Sequence, residues 1–255
     1  MRNTKKRREE ILQLLAQQGN LQVSSLVSRF GVSAVTIRTD LGVLEQQGLI
    51  HRSHGGAALK GNLPPEQHIH QKDAINTPLK ERIGAAAARL VEAGDNIIID
   101  SGTTTLHMAR HLRGLERVVV MTNGLNIAWA LADTEGIELM LTGGRLRKQS
   151  LSIQGAQAEA CLDNYGFDKL FLGVDGLDLQ FGLSTYHEAE ASLNQKMVAR
   201  AKKVIVLSDA SKFGRISLHR IAQLDQVDMV ITDDGISAEY SEGLQRLGIE
   251  VIVAS

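Results

Sequence analysis

VSAVTIRTDLGVLEQQGLIHRSHGGA, residues 32–57, is the stretch that decides the reading of the N-terminal part of the chain. Ser33 is placed to cap a helix, since its hydroxyl can accept from an unpaired first-turn N–H. Behind it Ile37, Leu41 and Leu44 recur at helical spacing and make one apolar face. Val35, Thr36, Arg38 and Thr39 are thereby turned outward or to the flanks near the helix start, the part of a recognition helix that enters a major groove. Residues 49–58 then read as a short extended pair around a Gly-Gly bend, with Arg52 and His54 as basic tips against phosphate or minor groove. Upstream, Ile11, Leu12, Leu14 and Leu15 form a 3.6-period stripe that predicts a helix over 5–18, and Ser24 reads as the cap of a second helix closed by a turn at Gly31. Together these predict a winged helix-turn-helix over residues 1–57 that binds double-stranded operator DNA.

Charge supports that reading. Residues 1–57 carry eight Lys/Arg against four acids, a net +4 that leaves −5 for the rest of a chain whose overall charge is −1. A basic head on an acidic body suits a polyanion at one end, because each neutralised phosphate releases counterions. The 255 residues, 43% hydrophobic and 22% charged with three prolines, suit two folded domains. A single cysteine excludes an internal disulfide, and no His/Cys spacing calls for a structural metal. No run of about 18 apolar residues occurs and the N-terminus is charged, so the expectation is a cytoplasmic protein without membrane partners.

Residues 58–77, polar and holding Pro64-Pro65, read as a linker, with His68 and His70 as solvent-exposed residues in it. Thr77-Pro78 reads as the cap and opening of a helix to about Val91. From there β-branched runs at 96–100, 117–122, 137–142, 169–175, 203–209, 229–233 and 250–254 alternate with helical segments. Near-continuous apolar strands of this kind predict a mostly parallel α/β sheet covered on both faces, over a second domain at 78–255. Ligands of such sheets sit beyond the carboxyl ends of the strands. There Asp100-Ser101-Gly102-Thr103-Thr104-Thr105 leads into a helix, and its hydroxyls and free N–H groups can cradle a phosphate. Thr122-Asn123-Gly124 repeats the design, and Thr142-Gly143-Gly144-Arg145 adds a close backbone approach and a planar guanidinium.

On the residues 32–57 quoted above, the chain resembles DeoR-type repressors of sugar-catabolism operons, and the likeness extends over essentially the whole chain. Members often have a second basic residue after the motif's arginine, where this chain has Thr39. Arg38 can still contact guanine with both arms, while Thr39 offers a hydroxyl and a methyl. Gly173–Asp178 and Asp209–Lys212 resemble segments of ribose-phosphate isomerase-like enzymes. That resemblance implies that Asp175 and Asp178 face sugar hydroxyls and that Lys212 lies near the anionic group or ring oxygen, although Asp178 reads equally well as a turn residue. In the isomerase pattern a glutamate base falls where this chain has Asn194, with Glu188 and Glu190 nearby, so no catalytic residue is assigned. The run 149–185 is most similar to family members that control amino-sugar operons, which implies an amino-sugar phosphate as effector. The resulting expectation is a repressor without cofactor, a homodimer or homotetramer, released from DNA by a phosphorylated sugar. An active isomerase and an architectural DNA-binding protein without a ligand are the competing classes.

Overall fold

Residues 2–18, 20–47, 49–53, 56–59 and 66–255 are described by the structure, a computed structural model. Contacts divide the chain into residues 1–66 and residues 67–255.

In the first unit α1 (Arg2–Gln18), β1 (Asn20–Gln22), α2 (Val23–Phe30), α3 (Ala34–Gln46), β2 (Ile50–Ser53) and β3 (Gly56–Leu59) follow in order. The strands form an antiparallel sheet, β1-β3-β2. Ile11, Leu14 and Leu15 of α1 meet Leu26 of α2 and Ile37, Leu41 and Leu44 of α3 in one core, closed by Ile50 and Ala57 of the sheet. Helix α2 begins at Val23, straight after β1, so Ser24, expected before the helix, lies within it. Asp40, 1% exposed on the inner face of α3, accepts from Arg7 Nε at 2.6 Å and Arg8 Nε at 2.7 Å. Two of the eight N-terminal cations are thus spent inside the unit, tying α1 to α3.

The second unit begins with α4 (Ile69–Ala74) and α5 (Thr77–Ala88), then β4 (Asn96–Ile99), α6 (Thr103–Arg110), β5 (Val118–Thr122), α7 (Leu125–Leu131) and β6 (Ile137–Leu141). A ribbon of β7 (Arg145–Arg147) and β8 (Ser152–Gln154) leads to α8 (Ala156–Leu162), β9 (Phe167–Gly173), β10 (Gly176–Asp178) and β11 (Gly182–Thr185). The chain ends with α9 (Glu188–Arg200), β12 (Ala201–Leu207), β13 (His219–Ala222), β14 (Met229–Thr232), α10 (Ala238–Arg246) and β15 (Glu250–Val253). The seven predicted runs form one parallel sheet in the order β15-β14-β12-β9-β4-β5-β6.

Alternate residues of each strand feed different cores. Ile97, Ile99, Phe171 and Ile205 pack under α5, α6 and α7 through Ile83, Met108 and Ile127. Ile98, Leu170, Leu172 and Val206 pack under α8, α9 and α10 through Leu162, Leu193 and Leu244. Each such side chain contributes about 1.5–3 kcal/mol by leaving water, so burial on both faces explains runs without alternation. At Gly84 a Cβ would stand 2.5 Å from the Met108 backbone nitrogen, so glycine lets α5 lie directly on α6.

Three expectations are corrected here. The predicted linker 58–77 holds the end of β3 and all of α4, while its residues 60–65 lie outside the described ones. Helix α4 escapes a hydrophobic reading because Ile69 is its one buried residue. His68 is not a free linker residue either, since it caps α4, accepting from the His70 N–H while Gln71 accepts from the His68 N–H. Nor does Thr77 cap α5: Asn76 holds the N-cap position at a left-handed φ of 57° without a side-chain capping bond, its amide donating to Asp209 at 3.2 Å, and the Thr77 hydroxyl donates to the Asp73 carbonyl.

Candidate functional site

On the first unit the start of α3 is the candidate DNA surface. The Ser33 hydroxyl accepts from the Thr36 N–H at 3.2 Å, and the two hydroxyls stand 2.9 Å apart, which fixes the first turn. The Thr39 hydroxyl donates to the Val35 carbonyl at 2.9 Å. Val35 is 70% exposed, and Arg38 and Thr39 are exposed beside it. Ser33 and Thr36 therefore build the end of the helix that Val35, Arg38 and Thr39 present to solvent. Of Arg52 the place on β2 is described, whereas His54 lies outside the described residues.

On the second unit the carboxyl ends of β4 and β9 are neighbours, with β5 and β6 running off to one side and β12, β14 and β15 to the other. The crevice of a parallel sheet opens at such a reversal. Asp100-Ser101-Gly102 turns from β4 into α6 there. The Ser101 N–H donates to Asn123 Oδ1 at 2.8 Å, and the Asn126 amide donates to the Gly102 carbonyl at 3.1 Å, so the turn after β5 props the turn after β4. A Cβ at Gly124 would lie 3.1 Å from Ser101 Cα, so these loops can approach this closely because Gly124 has no side chain. The Thr122 hydroxyl accepts from the Gly124 N–H and donates to the Ile99 carbonyl, bracing both. Thr103, Thr104 and Thr105 are buried in the first turn of α6, and Thr105 Oγ1 has no hydrogen-bond partner among the described residues.

The third turn behaves differently. Thr142-Gly143-Gly144 runs into the β7–β8 ribbon rather than a helix, with Gly144 pressed against the Gln154 carbonyl. Arg145 is exposed, and the guanidinium that reaches inward belongs to Arg147, 3.1 Å from the Ser150 hydroxyl and 3.7 Å from Glu190. The ribbon bonds to the second turn, Ile153 N–H to the Asn123 carbonyl at 2.6 Å.

Across the crevice, α9 supplies Glu190, which accepts from Ser150 and Ser152 at 2.5 and 2.7 Å through Oε1 and from Thr185 at 3.5 Å through Oε2. Burial pushes the Asp100 carboxyl well above the usual carboxylate range, and the Glu190 carboxylate pushes it the same way. Asn194 is buried one helical turn after Glu190. Asp175, just past β9, accepts from Thr185 at 3.1 Å and from Lys72 of α4 at 2.7 Å, with Lys212 at 4.0 Å. Burial would raise its carboxyl, but the Lys72 and Lys212 ammoniums outweigh that and hold it below the usual range. Lys212 sits in a short 3₁₀ turn capped by Asp209, which accepts from the Ser211 N–H. Asp178 is a turn residue: it accepts from the Gln180 and Phe181 N–H groups.

The geometry thus gathers Asp100 to Thr105, Thr122 to Gly124, Asp175 and Lys212 at one sheet edge and leaves Arg145 outside. It adds Lys72, Arg147, Ser150, Ser152, Thr185 and Glu190. No sequence signal separates Arg147 from Arg145, two residues apart on a three-residue strand. Among the described residues no helix is long and apolar enough to cross a membrane.

Two family descriptions match the chain, a DeoR-like helix-turn-helix domain over residues 7–61 and a DeoR C terminal sensor domain over residues 75–234. A protein of Escherichia coli O157:H7 named for repression of the aga operon is 49% identical over 252 residues, 98% of this chain and 94% of its own length. The HTH-type transcriptional repressor GlcR of Bacillus subtilis (strain 168) is 35% identical over 243 residues, 95% of this chain and 93% of its own. Among solved structures, ribose 5-phosphate isomerase A of Methanocaldococcus jannaschii gives a TM-score of 0.41 at 21% identity, over 54% of this chain and 55% of that one.

Proposed function

The chain belongs to the DeoR family of transcriptional regulators, and from that premise we propose that it represses a carbohydrate operon, with amino-sugar catabolism as the first assignment, until a phosphorylated sugar enters the cup. The observation that carries the phosphate is the turn Ser101–Thr105. A helix N-terminus turns its first N–H groups outward, the threonines of this one are buried, and the Thr105 hydroxyl, without a hydrogen-bond partner among the described residues, stands next to Gly102. Asp175 and Lys212 offer the sugar end an acceptor and a cation.

Val35, Thr36, Arg38 and Thr39 read the operator, with Ser33 setting the turn and Arg52 and His54 on the wing against the backbone. Two copies of α3 on two half-sites make the protein a homodimer or a homotetramer when bound. To lower operator occupancy a hundredfold, the sugar must favour the non-binding arrangement by about 2.7 kcal/mol, within reach of one charge-assisted phosphate clamp.

The cup senses and does not turn over. Asn194, where the isomerase pattern has its base, cannot take a proton, and both oxygens of Glu190 are engaged by hydroxyls. Relatives named as regulators are consistent with this. Fluorescence anisotropy on a duplex from the region beside the protein's own gene tests the reading. Galactosamine 6-phosphate or its N-acetyl form is expected to weaken binding about a hundredfold with no isomerised product. Release by an unphosphorylated sugar alone would sink the phosphate clamp.

A further inference from the structure

Helix α4 directs neighbouring side chains at both halves of the cup. Lys72 Nζ lies 2.7 Å from Asp175 Oδ1, beyond β9, and 5.6 Å from the centre of the Tyr186 ring. Asp73, next in the chain, stands 3.2 Å from His107 Nε2 on α6, the helix whose first turn holds Thr103–Thr105. Further ties on α4 are the Ile69 side chain, the Ile69 N–H donating to the Gln149 carbonyl at 2.9 Å, Lys80 donating to the Lys72 carbonyl and the Thr77 hydroxyl donating to the Asp73 carbonyl at 2.7 Å. Six residues make too short a helix to persist alone, so these ties, most of them polar, are what keep it in place.

Asp175 has both oxygens engaged: Oδ2 by the Thr185 hydroxyl at 3.1 Å and Oδ1 by Lys72, with Lys212 further off at 4.0 Å. A sugar hydroxyl or ammonium that seeks Asp175 therefore meets a carboxylate whose shortest ionic contact is internal. We propose that Lys72 is the built-in occupant of the sugar end of the cup, and that a bound sugar takes Asp175 from it and loosens α4. This rests on the reading of the cup as a sugar-phosphate site. The exchange is open to a ligand because the incoming hydroxyl or ammonium keeps Asp175 paired while the released Lys72, already partly exposed, regains water.

The test uses the full chain. Calorimetric titration with galactosamine 6-phosphate and with N-acetylgalactosamine 6-phosphate identifies the one that binds. Amide hydrogen exchange over residues 69–75 is then followed with that compound and, separately, with inorganic phosphate. The sugar phosphate is expected to speed exchange about tenfold and inorganic phosphate, which has nothing to offer Asp175, to leave it unchanged. Lys72→Met keeps the stem against Tyr186 and loses the ammonium, so it is expected to exchange fast without sugar and to bind the sugar phosphate about tenfold tighter. Should that variant not fold, Lys72→Arg reads the same competition in reverse, its fork holding the carboxylate harder and weakening sugar binding. Sugar binding with slowed or unchanged exchange over 69–75, or acceleration by inorganic phosphate alone, overturns the exchange at Asp175 and leaves the sugar site standing. A flat titration with every sugar phosphate removes the site and the exchange together.

Discussion

The two units place their functional side chains in opposite surroundings. On α3, Val35 is 70% exposed and Arg38 and Thr39 stand open to solvent, while the helix beneath them is held by Ile37, Asp40, Leu41 and Leu44. In the cup, Asn123 and Thr105 are wholly buried and Asp100 nearly so. On α3, positions proposed to touch DNA and positions that hold the fold are therefore separate sets. In the proposed cup they are the same residues: Asn123 props Ser101, Thr122 props Gly124, and Asp175, the acceptor proposed for a ligand, is an anchor for α4. Substitutions on α3 should divide cleanly into those that cost stability and those that cost DNA, whereas substitutions in the cup should mix the two.

The largest effect expected is on the holding side of α3. Asp40→Ala leaves Arg7 and Arg8 facing an apolar core without their shared carboxylate. Because the arginines keep some access to water, the cost falls at the low end for a broken buried pair, about 3 kcal/mol. In a unit of this size that lowers the N-terminal thermal transition by more than about 10 °C and removes DNA binding, while the C-terminal transition stays in place. A shift shared by both transitions would break the claim that the units are separately held. The next effect lies on the reading side. Arg38→Ala is expected to weaken the operator complex by about 2 kcal/mol, some thirtyfold, with melting temperature unchanged because the side chain is exposed. Unaltered operator affinity in anisotropy would remove α3 as the reader.

The same contrast explains what could be read from residues alone. The cap at Ser33 and the stripe Ile37, Leu41, Leu44 are local signals, and the structure uses them locally. The seven parallel strands were equally legible, since burial on both faces demands apolar runs such as NIII and VVVMT. Strands β7, β8 and β10 were not, because RLR, SIQ and GLD, each paired in a short antiparallel hairpin, are too short to show a period. Helix α4 was hidden for a related reason: what fixes it is Lys72 on Asp175, 103 residues away, and Asp73 on His107, 34 residues away. Polar ties over such separations leave no trace in hydrophobic spacing.

A smaller effect sharpens the comparison at a single buried cation. Lys80 of α5 is 4% exposed, and burial lowers its ammonium from 10.5 to about 8, with Asp209 opposing the change and Lys212 adding to it. In the unfolded chain the same group keeps its proton to about pH 10.5. Between about pH 8 and 10.5 the unfolded state therefore binds more protons than the native one, and stability contributed by this group rises with pH. From pH 7 to pH 9 the gain amounts to about 1.4 kcal/mol, one unit of differential titration. Lys80→Met has no proton to lose but also loses the bond to the Lys72 carbonyl, so whatever its offset from the natural chain at pH 7, that offset should move against it by about 1.4 kcal/mol by pH 9. Urea denaturation of both proteins at the two pH values measures the gap, and comparing them cancels every other titrating group. A gap of equal size at pH 7 and pH 9 would show that Lys80 meets water freely, and α5 would then enclose it no more than α3 encloses Arg38.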